Sequence, residues 1–177
     1  MPADRGLAAW VRAIVGALEA ADPVGAATLR GVAARRSARI GLDDEWVAVG
    51  FDDHGALRVR RVDGPGTGPW GRSSRGTVVD VLAARVEVRD AVLTGDVEVV
   101  GTVAEVAAMI AVIEIVLDAA MRAPALQALA DELVAAVGAP TGPGRAPVPW
   151  YPDEIAPAEL RLLRALGLLA DPPAATG

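Results

Sequence analysis

The chain has no cysteine, no lysine and no asparagine, and its 177 residues include only one Phe, one Tyr, four Trp and one His. Without Cys there is neither a disulfide framework nor a thiolate metal site. Aromatics are so scarce that Val, Leu, Ile and Ala must fill the core. All positive charge is carried by Arg, which reads as the codon usage of a GC-rich bacterium rather than as chemistry. His54 is the lone imidazole, so a Ser-His-Asp relay or a zinc centre would have to pass through it. Long unbroken apolar runs are missing too. Residues 103–123 come nearest, and Glu105, Glu114, Asp118 and Arg122 interrupt them, which a bilayer span does not tolerate. The opening Met1-Pro2-Ala3-Asp4-Arg5 lacks the pattern of a signal peptide, so the expected location is cytoplasmic.

The balance of charge is acidic, at −6, with a pI near 4.8. This argues against a nucleic-acid partner, because phosphate neutralisation supplies most of that affinity. It argues equally against long-range attraction to an anionic membrane. What the chain has in excess is aliphatic surface: hydrophobic residues make up 53%, with a mean hydropathy of +0.36. Such surface must be covered by the chain itself, by a partner or by a ligand.

Helical spacing of Leu7, Trp10, Val11, Ile14, Val15 and Leu18 predicts an amphipathic helix, with Asp4 as a possible cap. Asp22-Pro23 ends it and starts a second helix that runs out near Arg35-Arg36. Residues 37–42 read as a strand. Two Val-rich stretches, 46–51 and 56–62, flank the turn Asp52-Asp53-His54-Gly55 and predict a hairpin with one apolar and one cationic face. Residues 64–76 read as a Gly/Pro/Ser loop, 77–85 as a helix, and the second half of 91–101 as a strand. Thr102 and Glu105 form a capping box that opens a long helix. Pro124 breaks that helix and begins another, which ends at Gly138. The expected domains are a single α+β unit over residues 1–138, a Pro/Gly-rich linker or draped loop over 139–156, and a terminal helix and tail over 157–177. In that last segment Leu160, Leu163, Leu166 and Leu169 line one side, suited to packing back on the domain or to engaging a partner.

Candidates for chemistry are few. Residues 66–73 have phosphate-loop spacing with Arg72 in place of Lys, but Pro69 removes a needed N–H and no helix is expected at Ser73. Turn chemistry accounts for His54, for Asp43-Asp44-Glu45 and for Asp52-Asp53. Glu114 and Asp118 lie one helical turn apart, yet Arg122 follows at the same interval and pairs with Asp118. No catalytic constellation with a positioned nucleophile emerges, and no cofactor or metal is implied. Arg35, Arg36, Arg39, Arg58, Arg60 and Arg61 either form a cationic face suited to a phosphate or carboxylate headgroup, or pair with the neighbouring acidic turns.

Residues 77–109 run helix, then Ala91-x-x-x-Gly95-x-Val97-x-Val99-x-Gly101, then a capped helix. This pattern, with the hairpin upstream, resembles the sterol carrier protein family over about residues 37–122. Thr102 stands where that family commonly has Asp after the Gly. The resemblance implies an α+β fold: a mostly antiparallel sheet with helices packed on one face, here with extra C-terminal helices. It also implies non-covalent binding of a sterol, lipid or acyl chain between sheet and helices, and in some members dimerisation. The residues placed to line such a site are Leu82, Val97, Val99, Met109, Ile113, Val116 and Leu117, with Arg58 and Arg60 for a headgroup. The alternative is a structural or interaction subunit, a possible homodimer, with a collapsed core and a C-terminal helix that engages a partner protein.

Overall fold

A computed structural model describes residues 5–34 and 36–138. Asp4, Arg35 and the segments 139–156 and 157–177 lie outside the described residues. The chain order is α1 (Leu7–Ala21), α2 (Pro23–Ala33), β1 (Ser37–Leu42), β2 (Glu45–Phe51), β3 (Leu57–Arg61), β4 (Trp70–Ser73), α3 (Arg75–Leu82), α4 (Val88–Leu93), β5 (Val97–Val100), α5 (Val103–Ala120) and α6 (Pro124–Val137).

Helix starts follow local chemistry at α2, at α5 and at α3, where Ser74 Oγ accepts from the Thr77 N–H at 3.0 Å, and long-range chemistry at α1. At α2, Asp22 Oδ1 accepts from the Gly25 N–H at 2.9 Å and Pro23 occupies the first turn. At α5 the capping box is closed both ways: Thr102 N–H donates to Glu105 Oε2 at 2.8 Å, and Glu105 N–H to Thr102 Oγ1 at 3.4 Å. At α1, Gly6 sits in the cap position with no side chain to offer. The acceptor for the Leu7 N–H is Glu45 Oε2, 2.9 Å away on β2. The same carboxylate group takes Arg75 Nη2 at 2.6 Å, while Asp43 takes Arg75 Nη1 at 3.3 Å. These acidic turn residues therefore tie α1, the β1–β2 turn and the start of α3 together.

The five strands form one mixed, mostly antiparallel sheet in the order β3-β2-β1-β4-β5, and among the described residues six helices pack against it. Only the β1–β4 pair is parallel. β4 corrects the reading of residues 64–76 as loop. Trp70-Gly71-Arg72-Ser73 has no alternating pattern of its own, but β1 on one side and β5 on the other supply its backbone partners.

Three apolar clusters build the core. Leu7 and Ala8 of α1 pack on Leu42 and Val47 of the sheet, with Val49 and Val59 alongside. Leu18, Ala26, Leu29, Ala119 and Leu126 join α1, α2, α5 and α6. Trp10, Val79 and Leu133 join α1, α3 and α6. Across the ladders, Val47 pairs with Ile40, Ile40 with Gly71, and Gly71 with Val99, so these residues share the face that α1 covers at Val47. The opposite face carries Arg39, Ala48, Arg60, Trp70 and Val100 in the adjacent register. At the β3 edge, Arg12 of α1 donates from Nη2 to the Val59 carbonyl oxygen at 2.7 Å.

Candidate functional site

The helix-side face of the sheet is covered unevenly. Over β2 it is sealed: Val47 is 1% exposed beneath α1. One strand away, its ladder partner Ile40 is 37% exposed, although β1 is the central strand. Beyond Ile40 comes Gly71, where a Cβ would meet, among the described residues, only the Glu98 carbonyl oxygen at 3.7 Å. Val99 and Val97 complete the strip, both half-buried. An apolar strip thus crosses β1, β4 and β5 with a gap in its relief at the glycine.

Helix α5 supplies a second unsealed apolar surface. It lies against α2, α6 and α1 rather than flat on the sheet. Val112, Ile115, Val116 and Ala120 point into the core shared with α2. Helical spacing puts Val106, Ile110, Ile113 and Leu117 on another flank. Ile110 is buried there, Val106 and Leu117 are half-buried, and Ile113 is 37% exposed. Helices apolar over so much of their circumference are normally buried.

The seven residues that the sequence assigns to an apolar lining therefore divide. Val97 and Val99 lie on the open strip, and Ile113 and Leu117 share the second flank of α5, with Met109 half-buried beside them. Val116 belongs to the core around α2, and Leu82 packs with Trp10, Val79 and Leu133. Ile40 and Gly71 are members of the strip that the sequence reading passed over. Gly71 lies in the span that reads as loop, and the ladder that seats it beside Ile40 is non-local.

Arg58 and Arg60 are exposed on the other face of the sheet, on the edge strand β3, whereas Val97 and Val99 sit on the opposite edge strand β5. Four strand spacings of about 4.8 Å and the sheet itself separate the two groups. One small ligand cannot touch both.

The polar candidates resolve into structural roles. Asp52 Oδ1 accepts from the His54 and Ala56 N–H groups at 3.0 and 2.9 Å, and its Oδ2 takes Arg58 Nη2 at 2.7 Å. His54 is exposed in that turn. The Ala56 N–H is the main cause holding the Asp52 carboxyl below the ordinary aspartate value. Asp118 is likewise held down, chiefly by its hydrogen bond with Arg122, at 2.8–2.9 Å. Glu114 stands exposed on the same stripe. Among the described residues no group of three or more acidic or His side chains is arranged to hold a metal ion. Comparison with protein-family models, with curated proteins and with solved structures found no match to this chain.

Proposed function

We propose that the chain is a non-catalytic carrier for a long apolar ligand, a lipid, sterol or acyl chain. The ligand lies between the Ile40–Gly71–Val99 strip and the α5 flank bearing Val106, Ile113 and Leu117. The observation that carries this reading is the 37% exposure of Ile40 on the central strand, beside a Val47 that is 1% exposed. An alkyl chain laid there gains about 0.8 kcal/mol per buried CH₂, so a dozen carbons give useful affinity without any polar contact. Further support comes from the order of elements around Gly101 and from α1 covering the same face of the sheet that bears the strip. Both agree with what the resemblance to sterol carrier proteins implies. Binding is reversible sequestration and needs no nucleophile or base.

Native mass spectrometry of the full chain, fresh from expression, tests this. A lipid-sized adduct that disappears on organic extraction is expected, together with a rise in melting temperature on adding palmitate. Gly71→Leu fills the strip at the point where a side chain meets least resistance. It is expected to abolish both signals while the apo protein melts no lower than the parent. A clean apo mass with no palmitate-induced shift would sink the reading.

A second reading has its own observation. Val103, Ile113 and Met121, on or just after α5, are 50%, 37% and 80% exposed, a pattern that a subunit interface would cover. It predicts a concentration-dependent dimer in sedimentation equilibrium that Ile113→Glu dissociates.

A further inference from the structure

The outer face of the sheet holds the charge that the strip lacks. By register Arg39, Arg58, Arg60 and Arg72 share it with Trp46 and Trp70, and Glu98 is the carboxylate among them. Two open depressions lie on this side, of about 380 Å³ and 390 Å³, and Arg60 lines both. The first is walled by Arg36, Arg58 and Arg60 over a floor of Ala48 and Gly50. Ser37, Val49 and Phe51 complete its lining, and at Gly50 a Cβ would meet the Arg36 carbonyl oxygen at 3.0 Å, so the depression is shallow and an anion would be held by the guanidinium groups at its rim.

The ion pairing around the depression is unequal. Arg58 is forked onto Asp52, with Nε at 2.9 Å and Nη2 at 2.7 Å. In the second depression Arg39 donates to the Gly64 carbonyl at 2.7 Å and Asp63 contributes a carboxylate. Arg36 donates to the Val32 carbonyl at 2.6 Å, which leaves its charge uncancelled at the contact; Glu105 feels that charge from farther off. Arg60 is exposed between the two depressions, while the neighbouring Arg58 and Arg61 engage Asp52 and Glu45. On the sheet face its guanidinium is open to an oxyanion arriving from solvent.

We infer that the depression between Arg36, Arg58 and Arg60 binds a compact oxyanion, the phosphate or carboxylate group of a small molecule. Guanidinium forks match both groups in geometry. A compact anion is favoured over a polyanion by range. Within a Debye length of about 8 Å it meets the local Arg field, whereas a nucleic-acid strand or bilayer extends over the acidic remainder of the surface. The site lies across the sheet from the apolar strip and stands whether or not a lipid is carried there.

Isothermal titration of the full chain at low ionic strength, with pyrophosphate in one arm and citrate in the other, tests the assignment and separates the two oxyanion sources. Saturable binding is expected in at least one arm. Arg60→Gln should weaken it by about tenfold or more, as loss of a charge-assisted contact does. Arg36→Gln should weaken it as well. Arg72→Gln, on the same face but outside the depression, should change it less than about twofold. Circular dichroism and melting of each variant establish that the fold is retained. The inference is overturned by no heat in either arm, by Arg60→Gln binding like the parent, by Arg72→Gln doing equal damage, or by binding confined to single-stranded DNA or phosphatidylserine vesicles.

Discussion

Asp52 concentrates in one side chain what the β2–β3 turn needs: acceptors for two turn N–H groups and a counter-charge for Arg58. These contacts favour its ionised form, so its folded pKa lies below the unfolded one. Stability from this source is present above the ordinary aspartate range and is lost as pH falls through the folded value. Glu105, whose carboxyl is lowered chiefly by the Thr102 N–H, acts in the same direction. Melting temperature recorded between about pH 5 and pH 2 should therefore fall less steeply for Asp52→Asn than for the parent. Two glycines on opposite faces give a contrasting pair. A Cβ at Gly41 would sit 2.9 Å from the Trp46 ring, which lies over that position and meets Trp70 edge-on at 5.8 Å. Gly41→Ala is expected to cost about 1–3 kcal/mol in urea unfolding, as overpacking does, and to shift tryptophan emission. Gly71→Val meets open space in an extended strand and should instead stabilise by about 0.5–1 kcal/mol.

At the level of elements, legibility tracked how local the cause was. The Asp22-Pro23 start of α2, the Asp52–Gly55 turn and the Thr102/Glu105 capping box each reside within a few residues of chain, and each could be read there. Thr102→Ala, which removes an exposed cap, should cost about 1 kcal/mol, measurable by urea unfolding. The α1 cap could not be read, because its acceptor is Glu45, 38 residues along. β4 is hidden in the sequence for the same reason. Its four residues are a strand only because β1 and β5 flank them, and the pairing of Arg39 with Trp70 is invisible in sequence. The candidate site inherits this division. Val97 and Val99 announce themselves by alternation, and the apolar residues of α5 by helical period. Ile40 and Gly71 become neighbours only through the parallel β1–β4 ladder. Leu82 and Val116 have the right chemistry, but packing against α6 and α2 assigned them to the interior.

Across the whole molecule the sheet acts as a partition. The Ile40–Gly71–Val99 strip lies on the face that α1 covers and Arg39, Arg58, Arg60 and Arg72 on the other, with Arg61 and the exposed Val100 as exceptions, so an acidic total hides a local cationic patch. Among the described residues no helix is long and apolar enough to cross a membrane. Because the strip and the Arg-lined depression share no side chain, their perturbations should be additive. In a double-mutant cycle, Gly71→Leu is expected to leave pyrophosphate or citrate affinity unchanged within about twofold, and Arg60→Gln to leave palmitate-induced stabilisation intact. Coupling well beyond that, measured by titration and melting on the four proteins of the cycle, would mean that the faces communicate through the sheet.

The Arg12 hydrogen bond to Val59 has a consequence for self-association. β3 is the outermost strand on its side, and its outward carbonyls are what an incoming chain would template upon. A guanidinium reaching down from α1 already occupies one of them, so a nucleating strand must evict a cation before it can add. Arg12→Ala removes that guard while leaving the interior untouched, and thioflavin-positive fibrils should then appear sooner on agitation than they do for the parent chain.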